Sequence, residues 1–304
     1  MKFLFCLLLI SASVFGFLLS GTSSEAMHAA ADKISIDELI SKHLDSIGPA
    51  RARATAGSRL VAGTTHVTFR ARGVAQADGG AVLASDGPRS MVTMKFDSSQ
   101  YPYEKIGFDG NKVTAFQLHP GDYSRLGGFV RSTPEIFKEG LIGSTLSSAW
   151  PFLGYPDRKL KVEIAGIRKV NNRPAYEVKY GIRGGSDLTV TLFFDVETFQ
   201  HVRSVYKKEL PAQMGQGGAG AGTGGAGGVD RIGRVSEANS NATFELTEEF
   251  SDFKTEGELT LPHTYKIKFE QVGSSTQVSE WVLTLVKFAF RSRFEASDFD
   301  VSSE

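Results

Sequence analysis

Hydrophobic positions recur at two different periods along this chain. Between residues 33 and 48, Ile36, Leu39, Ile40, Leu44 and Ile47 fall at helical spacing, and Gly48-Pro49 ends the run. The spacing predicts one amphipathic helix. Asp37 and Glu38 stand in its early turns, where carboxylates suit the positive end of the helix dipole. His43 falls on or beside the polar face and is expected to be solvated.

Downstream the period changes to two. Val67, Phe69 and Ala71 alternate with His66, Thr68, Arg70 and Arg72, and Val92, Met94 and Phe96 with Thr93 and Lys95. Asp109-Gly110 between two apolar runs predicts a hairpin turn. A second strand block holds Leu160, Val162 and Ile164, then Tyr176, Val178 and Tyr180, then Leu188, Val190, Leu192 and Phe194. A third holds Phe244, Leu246, Glu248 and Phe250 on one face, then His263, Tyr265, Ile267 and Phe269. The run from Trp281 to Phe290 is apolar on both faces and predicts a buried central strand. The connections are too short for parallel crossovers, so the strands are antiparallel. Roughly ten or eleven strands are expected. So many strands need two packed sheets or one strongly curved sheet approaching a barrel.

Two segments interrupt the strand pattern. Residues 121–157 are rich in Gly, Pro, Ser and aromatics. Thr133-Pro134-Glu135 predicts a helix start, and Ile136 to Trp150 one or two short helices in a long connection. Residues 213–228 hold a glycine tract without any apolar side chain larger than alanine after Met214, which predicts a flexible loop between strands.

The amino terminus bears on compartment. Lys2, the apolar run Phe3–Leu19 and the small or polar residues up to Ala26 have the layout of a secretory signal peptide, with Ser24-Glu25-Ala26 fitting the cleavage rule. Residues 1–26 are therefore expected to be removed, leaving a single domain over 33–304 in the periplasm or secreted. Cys6 goes with the leader, so neither a lipid anchor nor a disulfide framework is expected.

Charge and composition mainly exclude. Lys plus Arg and Asp plus Glu each number 34, so the formal charge is zero and nothing in it points to nucleic acid. Hydrophobic residues make up 41%, which is enough for a substantial core.

Signatures of chemistry are weak. Gly220-x-Gly222-x-x-Gly225 satisfies a dinucleotide fingerprint formally but lacks the strand before it and the helix after it. His43, His66, His119, His201 and His263 are dispersed, and no metal or other cofactor is expected. There is no Gly-x-Ser-x-Gly elbow; Ser144, in Gly143-Ser144-Thr145, reads as small-residue packing. Glu248 and Glu249 are strand neighbours pointing to opposite faces and cannot act as a carboxylate pair. No catalytic residue is assigned, and the protein is expected not to be an enzyme.

Aromatic residues are the most suggestive feature. A curved sheet with an apolar concave face needs a filling, either its own helices or a hydrophobic ligand. The expected lining is Phe69, Phe96, Trp150, Phe152, Tyr176, Phe194, Tyr265 and Trp281.

Several stretches together resemble the LolA/LolB-like superfamily of periplasmic lipoprotein-localisation factors. They are the helix Glu38–Leu44, the strand-turn-strand piece Ala165–Tyr176, the turn Phe193–Thr198, and the later hairpin with Phe250-Ser251-Asp252-Phe253-Lys254 and Leu261-Pro262-His263. The resemblance spans roughly residues 33–300, in short pieces. It implies a mainly β (α+β) fold, a curved antiparallel sheet forming an incomplete β-barrel, with short helices covering the concave face. It also implies carriage of a lipid or lipoprotein acyl chain. No position matches the carriers' lid-contacting arginine. The function expected is non-covalent binding of a hydrophobic ligand in the cell envelope. The alternatives are an envelope interaction or sensor protein with a filled core, whose partner is an envelope protein, and a secreted hydrolase with dispersed catalytic residues.

Overall fold

The computed structural model describes residues 34–210, 242–273 and 275–302. The expected leader at 1–26 and the glycine tract at 213–228 lie outside the described residues.

Helix α1 (Ile36–Ile47) forms where the periodicity places it. The Ser35 side chain caps it, accepting from the Glu38 backbone N–H at 3.1 Å, and Gly48 ends it at φ 139°. His43 is not solvated; it is 1% exposed, beside buried Leu39, Ile40 and Ile47. Residues 39, 43 and 47 are spaced by four, so the imidazole belongs to the apolar stripe rather than beside it. A short helix α2 (Ala50–Thr55) follows.

Among the described residues there are fourteen strands. The first meander holds β1 (Ser58–Arg70), β2 (Val74–Asp86), β3 (Arg89–Phe96), β4 (Tyr103–Phe108) and β5 (Val113–Ala115). A two-stranded ribbon, β6 (Gln117–His119) with β7 (Asp122–Tyr123), stands apart. The second meander holds β8 (Lys161–Val170), β9 (Arg173–Gly181), β10 (Thr189–Asp195), β11 (His201–Leu210), β12 (Ala242–Glu256), β13 (Leu259–Val272) and β14 (Thr276–Phe290). Antiparallel pairing of β1 with β14 fuses the two meanders into one twelve-stranded sheet, ordered β5-β4-β3-β2-β1-β14-β13-β12-β11-β10-β9-β8. The edge strands β5 and β8 do not pair with each other, so the sheet is an incomplete barrel.

Bulges help the sheet curve. The β1–β14 register shifts between Ala62 and Gly63, the β10–β11 register between Phe193 and Phe194, and the β8–β9 register between Ile164 and Gly166. At Gly63 the backbones approach so closely that a Cβ would lie 1.9 Å from the Thr284 carbonyl oxygen. Only glycine fits there.

Two strand expectations need correction. β14 is central, but only one of its faces is buried: Trp281, Leu283 and Leu285 point inward while Val286 is 64% exposed. A single open sheet leaves its convex face to solvent, whatever the side chains there. The strand count is also higher than expected. β5, β6 and β7 are too short to show a period, and β2 carries Ala75-Gln76-Ala77-Asp78-Gly79-Gly80 without an apolar alternation. Full-length pairing with β1 holds β2 extended.

The β5–β8 connection crosses the concave side, because these strands are the two edges of the sheet. It contains α3 (Arg125–Ser132), the single turn α4 (Glu135–Lys138) and 3-10 turns at Ser144–Leu146 and Pro151–Gly154. Left-handed backbone at Gly140, Gly143 and Ser144 (φ 75°, 77° and 48°) keeps the helices short. Leu126, Phe129, Val130, Ile136, Phe137, Leu141, Leu146, Trp150 and Phe152 from this cover are buried in the same apolar cluster as the concave face. Among the described residues, no helix is long and apolar enough to cross a membrane.

Candidate functional site

The candidate site is the interior between sheet and cover. Alternation along each strand places its side chains. β3 contributes Val92 and Met94, β4 Glu104 and Ile106, β12 Leu246 and Glu248, and β13 Tyr265 and Ile267. Leu126 and Val130 from α3, with Phe137 and Ile142, face them across an almost wholly apolar cavity of about 20 Å³. That is room for about one water, with few groups to bind it. A second cavity of about 10 Å³ lies between Leu83, Ser85, Val92, Gly143, Leu146 and Ser147. The interior is thus closed by the chain's own side chains.

Several buried polar groups fasten the cover to the sheet. Glu248, fully buried, accepts from the Gly143 backbone N–H at 2.9 Å, the Tyr206 hydroxyl at 2.7 Å and the Tyr265 hydroxyl. Burial raises its pKa, and these hydrogen bonds oppose the rise. Glu104 accepts from Ser124 Oγ at 2.7 Å and from the Tyr101 hydroxyl; burial pushes its pKa up to about 7 against those two bonds. Glu139 accepts from Tyr180 at 2.9 Å and from Arg183 Nε at 2.9 Å, with Arg158 3.7 Å away. Each carboxylate therefore has donors, as burial demands.

Arg59 on β1 is buried, and among the described residues no carboxylate is bonded to it. Its guanidinium donates to the carbonyls of Ala56 at 3.2 Å, Ser147 at 3.4 Å and Thr145, while Nη2 finds no partner among the described residues. Burial brings its pKa down to about 10. This arginine reaches the cover through the carbonyls of Thr145 and Ser147. It was missed because it stands just before the region where strand periodicity becomes readable.

Two buried histidines complete the inventory. His43 Nδ1–H donates to the Phe199 carbonyl at 2.9 Å and Nε2 accepts from Trp150 Nε1 at 3.0 Å, which fixes a neutral tautomer. Burial outweighs the bond to Phe199 and lowers its pKa to about 4. His201 Nδ1 lies 2.6 Å from Ser144 Oγ, and Nε2 lies 3.4 Å from Ser204 Oγ. Burial, and then the neighbouring His43, hold His201 well below its ordinary value. The Ser144–His201 pair has the spacing of a nucleophile and its base. Ser144 is 0% exposed, however, and the third group is Ser204, so among the described residues no carboxylate orients or stabilises a charged ring.

The eight aromatics expected from the sequence fall into separate groups. Trp150, Phe152 and Phe194 cluster with both histidines: the Trp150–Phe152 ring centroids are 5.1 Å apart, Phe152–Phe194 5.6 Å and His43–Phe194 4.8 Å. Phe69, Phe96 and Trp281 form a second group with Tyr101, with Phe69 4.9 Å from Tyr101 and 6.2 Å from Trp281 and Phe96 5.2 Å from Tyr101. Tyr265 stacks on Phe250 at 5.0 Å and borders the larger cavity. Tyr176 stands apart, stacked on Phe199 at 6.2 Å. All but the half-buried Phe69 are buried. Among the described residues no group of three or more His, Cys, Asp or Glu is placed to hold a metal.

The geometry defines a class, an open antiparallel half-barrel with a covered apolar interior. The chain is similar over most of its length to a LolA superfamily protein from Nitrosomonas europaea, at 14% identity and a TM-score of 0.47, covering 88% of this chain and 97% of that one. It is similar to a DUF1329 family protein from Desulfovibrio piger at 8% identity and a TM-score of 0.38, over 88% and 97% of the two chains. The lipoprotein LppX of Mycobacterium tuberculosis matches at 14% identity and a TM-score of 0.21, over 60% and 88%. No protein-family model matches the chain, and no curated protein matches it. All three scores are below 0.5, so the fold assignment rests on the sheet order and pairing of the chain itself.

Proposed function

We propose that this protein binds a hydrophobic ligand, a lipid or lipoprotein acyl chain, between the concave face and the cover, and does so in the cell envelope as a single domain over 33–304 behind a cleaved leader. The observation that supports this best is the apolar lining between α3 and the sheet, where Leu126 and Val130 face Val92, Met94, Ile106 and Ile267. The ligand would enter by displacing cover side chains, with Tyr265 and the aromatics around it taking their place as contacts. The Ser144–His201 pair is structural in this reading. It joins the cover to β11, and burial makes His201 a weak base, because the imidazolium it would form on taking the serine proton is desolvated.

A second reading has one specific observation behind it. The interior is already filled, as in an interaction protein that binds an envelope partner through its surface. Native mass spectrometry of the protein isolated from its own envelope, followed by organic extraction, separates the two. A bound lipid or lipopeptide released by detergent supports the carrier reading. A clean unliganded mass, with no uptake of fluorescent fatty-acid probes, overturns it and leaves the filled-core reading.

A further inference from the structure

We propose that β8 is a self-pairing edge: two copies of this chain dock β8 against β8, antiparallel about a two-fold axis, and join their sheets into one.

The two edges of the sheet differ. β5 is three residues long and buried, and the stretch near the carboxyl terminus lies against it: the Val301 backbone N–H donates to Thr114 Oγ1 at 3.0 Å, and Phe299 and Val301 are buried. A short, covered edge offers little to a partner. β8 is ten residues long and pairs with β9 on one side. On its other side, no backbone N–H or C=O of β8 is bonded among the described residues. Lys161, Glu163, Ala165, Arg168 and Lys169 are exposed along it. A long unpaired edge is a template for another strand.

The bulge in β8 selects which strand. Residues five apart on a regular strand point to opposite faces. Here Ala165 is an extra residue, because Ile164 pairs with Val178 and Gly166 with Glu177. Ile164 and Ile167 therefore both share the concave face, opposite Val178 and Tyr176. Glu163 and Arg168 both share the convex face, where Lys179 lies opposite Glu163 and Arg168 Nε donates to Glu177 at 2.9 Å. Directly opposed residues of an antiparallel pair project to the same face. A two-fold axis at the bulge meets that condition along the strand: Glu163 lies opposite the partner's Arg168 and Ile164 opposite the partner's Ile167, each pair occurring twice. Nothing lies within 4 Å of a Cβ added at Gly166, so there is room at the axis for the backbones to close.

Charge supports the same register. Across the convex face, Lys179, Glu163, the partner's Arg168 and the partner's Glu177 alternate in sign. Opposite charges on facing strands stabilise the pairing and like charges oppose it. Sliding the copies by two residues sets Lys161 opposite Arg168, both cationic, in one direction and Ile164 opposite Lys169 in the other. A bulged, charged edge deters an ordinary strand. A second copy carries the same bulge and the complementary charges. The pairing does not involve the interior, so it holds whether or not the interior takes a ligand.

Sedimentation velocity of the full chain over a concentration series tests this and should show monomer and dimer in exchange. Glu163→Arg and Arg168→Glu should each weaken the dimer about tenfold or more, since each sets two like-charged pairs across the axis. The double variant Glu163→Arg/Arg168→Glu restores opposite charges and should recover the dimer, which neither a folding defect nor association through another surface would do. In the chain carrying Cys6→Ser, Glu163→Cys/Arg168→Cys should give a disulfide-linked dimer on mild oxidation, while either cysteine alone should not. The two positions are roughly 13–17 Å apart within one chain, too far to bridge, and about 4.5–5.5 Å apart across the axis. A protein that stays monomeric up to about 1 mM overturns the proposal. A dimer that ignores both single charge reversals, or that the double reversal fails to restore, overturns β8 as its surface. Cross-linking through one cysteine as readily as through two overturns the register.

Discussion

Replacing Glu104 by Gln makes the sharpest stability prediction. The glutamine keeps a carbonyl oxygen for the Ser124 or Tyr101 hydroxyl but cannot ionise. In the native protein, burial moves the Glu104 pKa from its ordinary 4.5 to about 7. The folded state therefore binds this proton more tightly than the unfolded state. The stability associated with it is fully present below about pH 4.5 and is lost as pH rises to about 7, after which nothing further changes. That difference in pKa corresponds to about 3 kcal/mol. Urea unfolding of the wild type and Glu104→Gln should give similar stabilities near pH 4, with the variant gaining up to about 3 kcal/mol by pH 8. Other titrating groups are common to both proteins and cancel in the comparison. An offset that is the same at pH 4 and pH 8 would refute the assignment of a buried, reluctantly ionised carboxylate.

Three further substitutions probe the frame. Gly63→Val places a side chain against the Thr284 carbonyl and should prevent the β1–β14 pairing that joins the meanders, visible as loss of soluble, cooperatively unfolding protein. Trp150→Phe removes the donor to His43 Nε2 and leaves a buried acceptor unmet; chemical denaturation should show a loss of about 1–3 kcal/mol. Arg173→Ala should cost less than about 1 kcal/mol by the same assay, because Arg173 is 57% exposed and Asp195 keeps the backbone N–H groups of Glu197 and Thr198.

Much of the fold was legible because most strands alternate over one buried face. Tyr176-Val178-Tyr180 and Tyr265-Ile267-Phe269 show that period plainly, and α1 shows its own period and its stop at Gly48-Pro49. β2 was not legible, since its Ala and Gly residues take their extended shape from β1 and β3 rather than from side-chain pattern. The polar fastenings were harder still. Glu248 sits on an apolar face with Phe244, Leu246 and Phe250, and that mismatch was the available signal. Its meaning needs Gly143, Tyr206 and Tyr265, which are distant in sequence. His43 shows the opposite failure, since a polar side chain on an apolar stripe was assigned to solvent although Trp150 and Phe199 wait for it in the interior.

The central claim is that the interior accepts an acyl chain. Lifting Leu126, Phe129 and Val130 from the core costs roughly 5–9 kcal/mol at about 1.5–3 kcal/mol per side chain, and each buried methylene returns about 0.8 kcal/mol. Gain and cost then balance at about 6–11 carbons. The most direct measurement is a titration of the full chain with a series of fluorescent acyl probes of increasing length. The account predicts no binding at about six carbons, binding by about 14–16, and an affinity rising about fourfold per added methylene between them. Absence of binding at about 16 carbons, or an affinity independent of chain length, would contradict it.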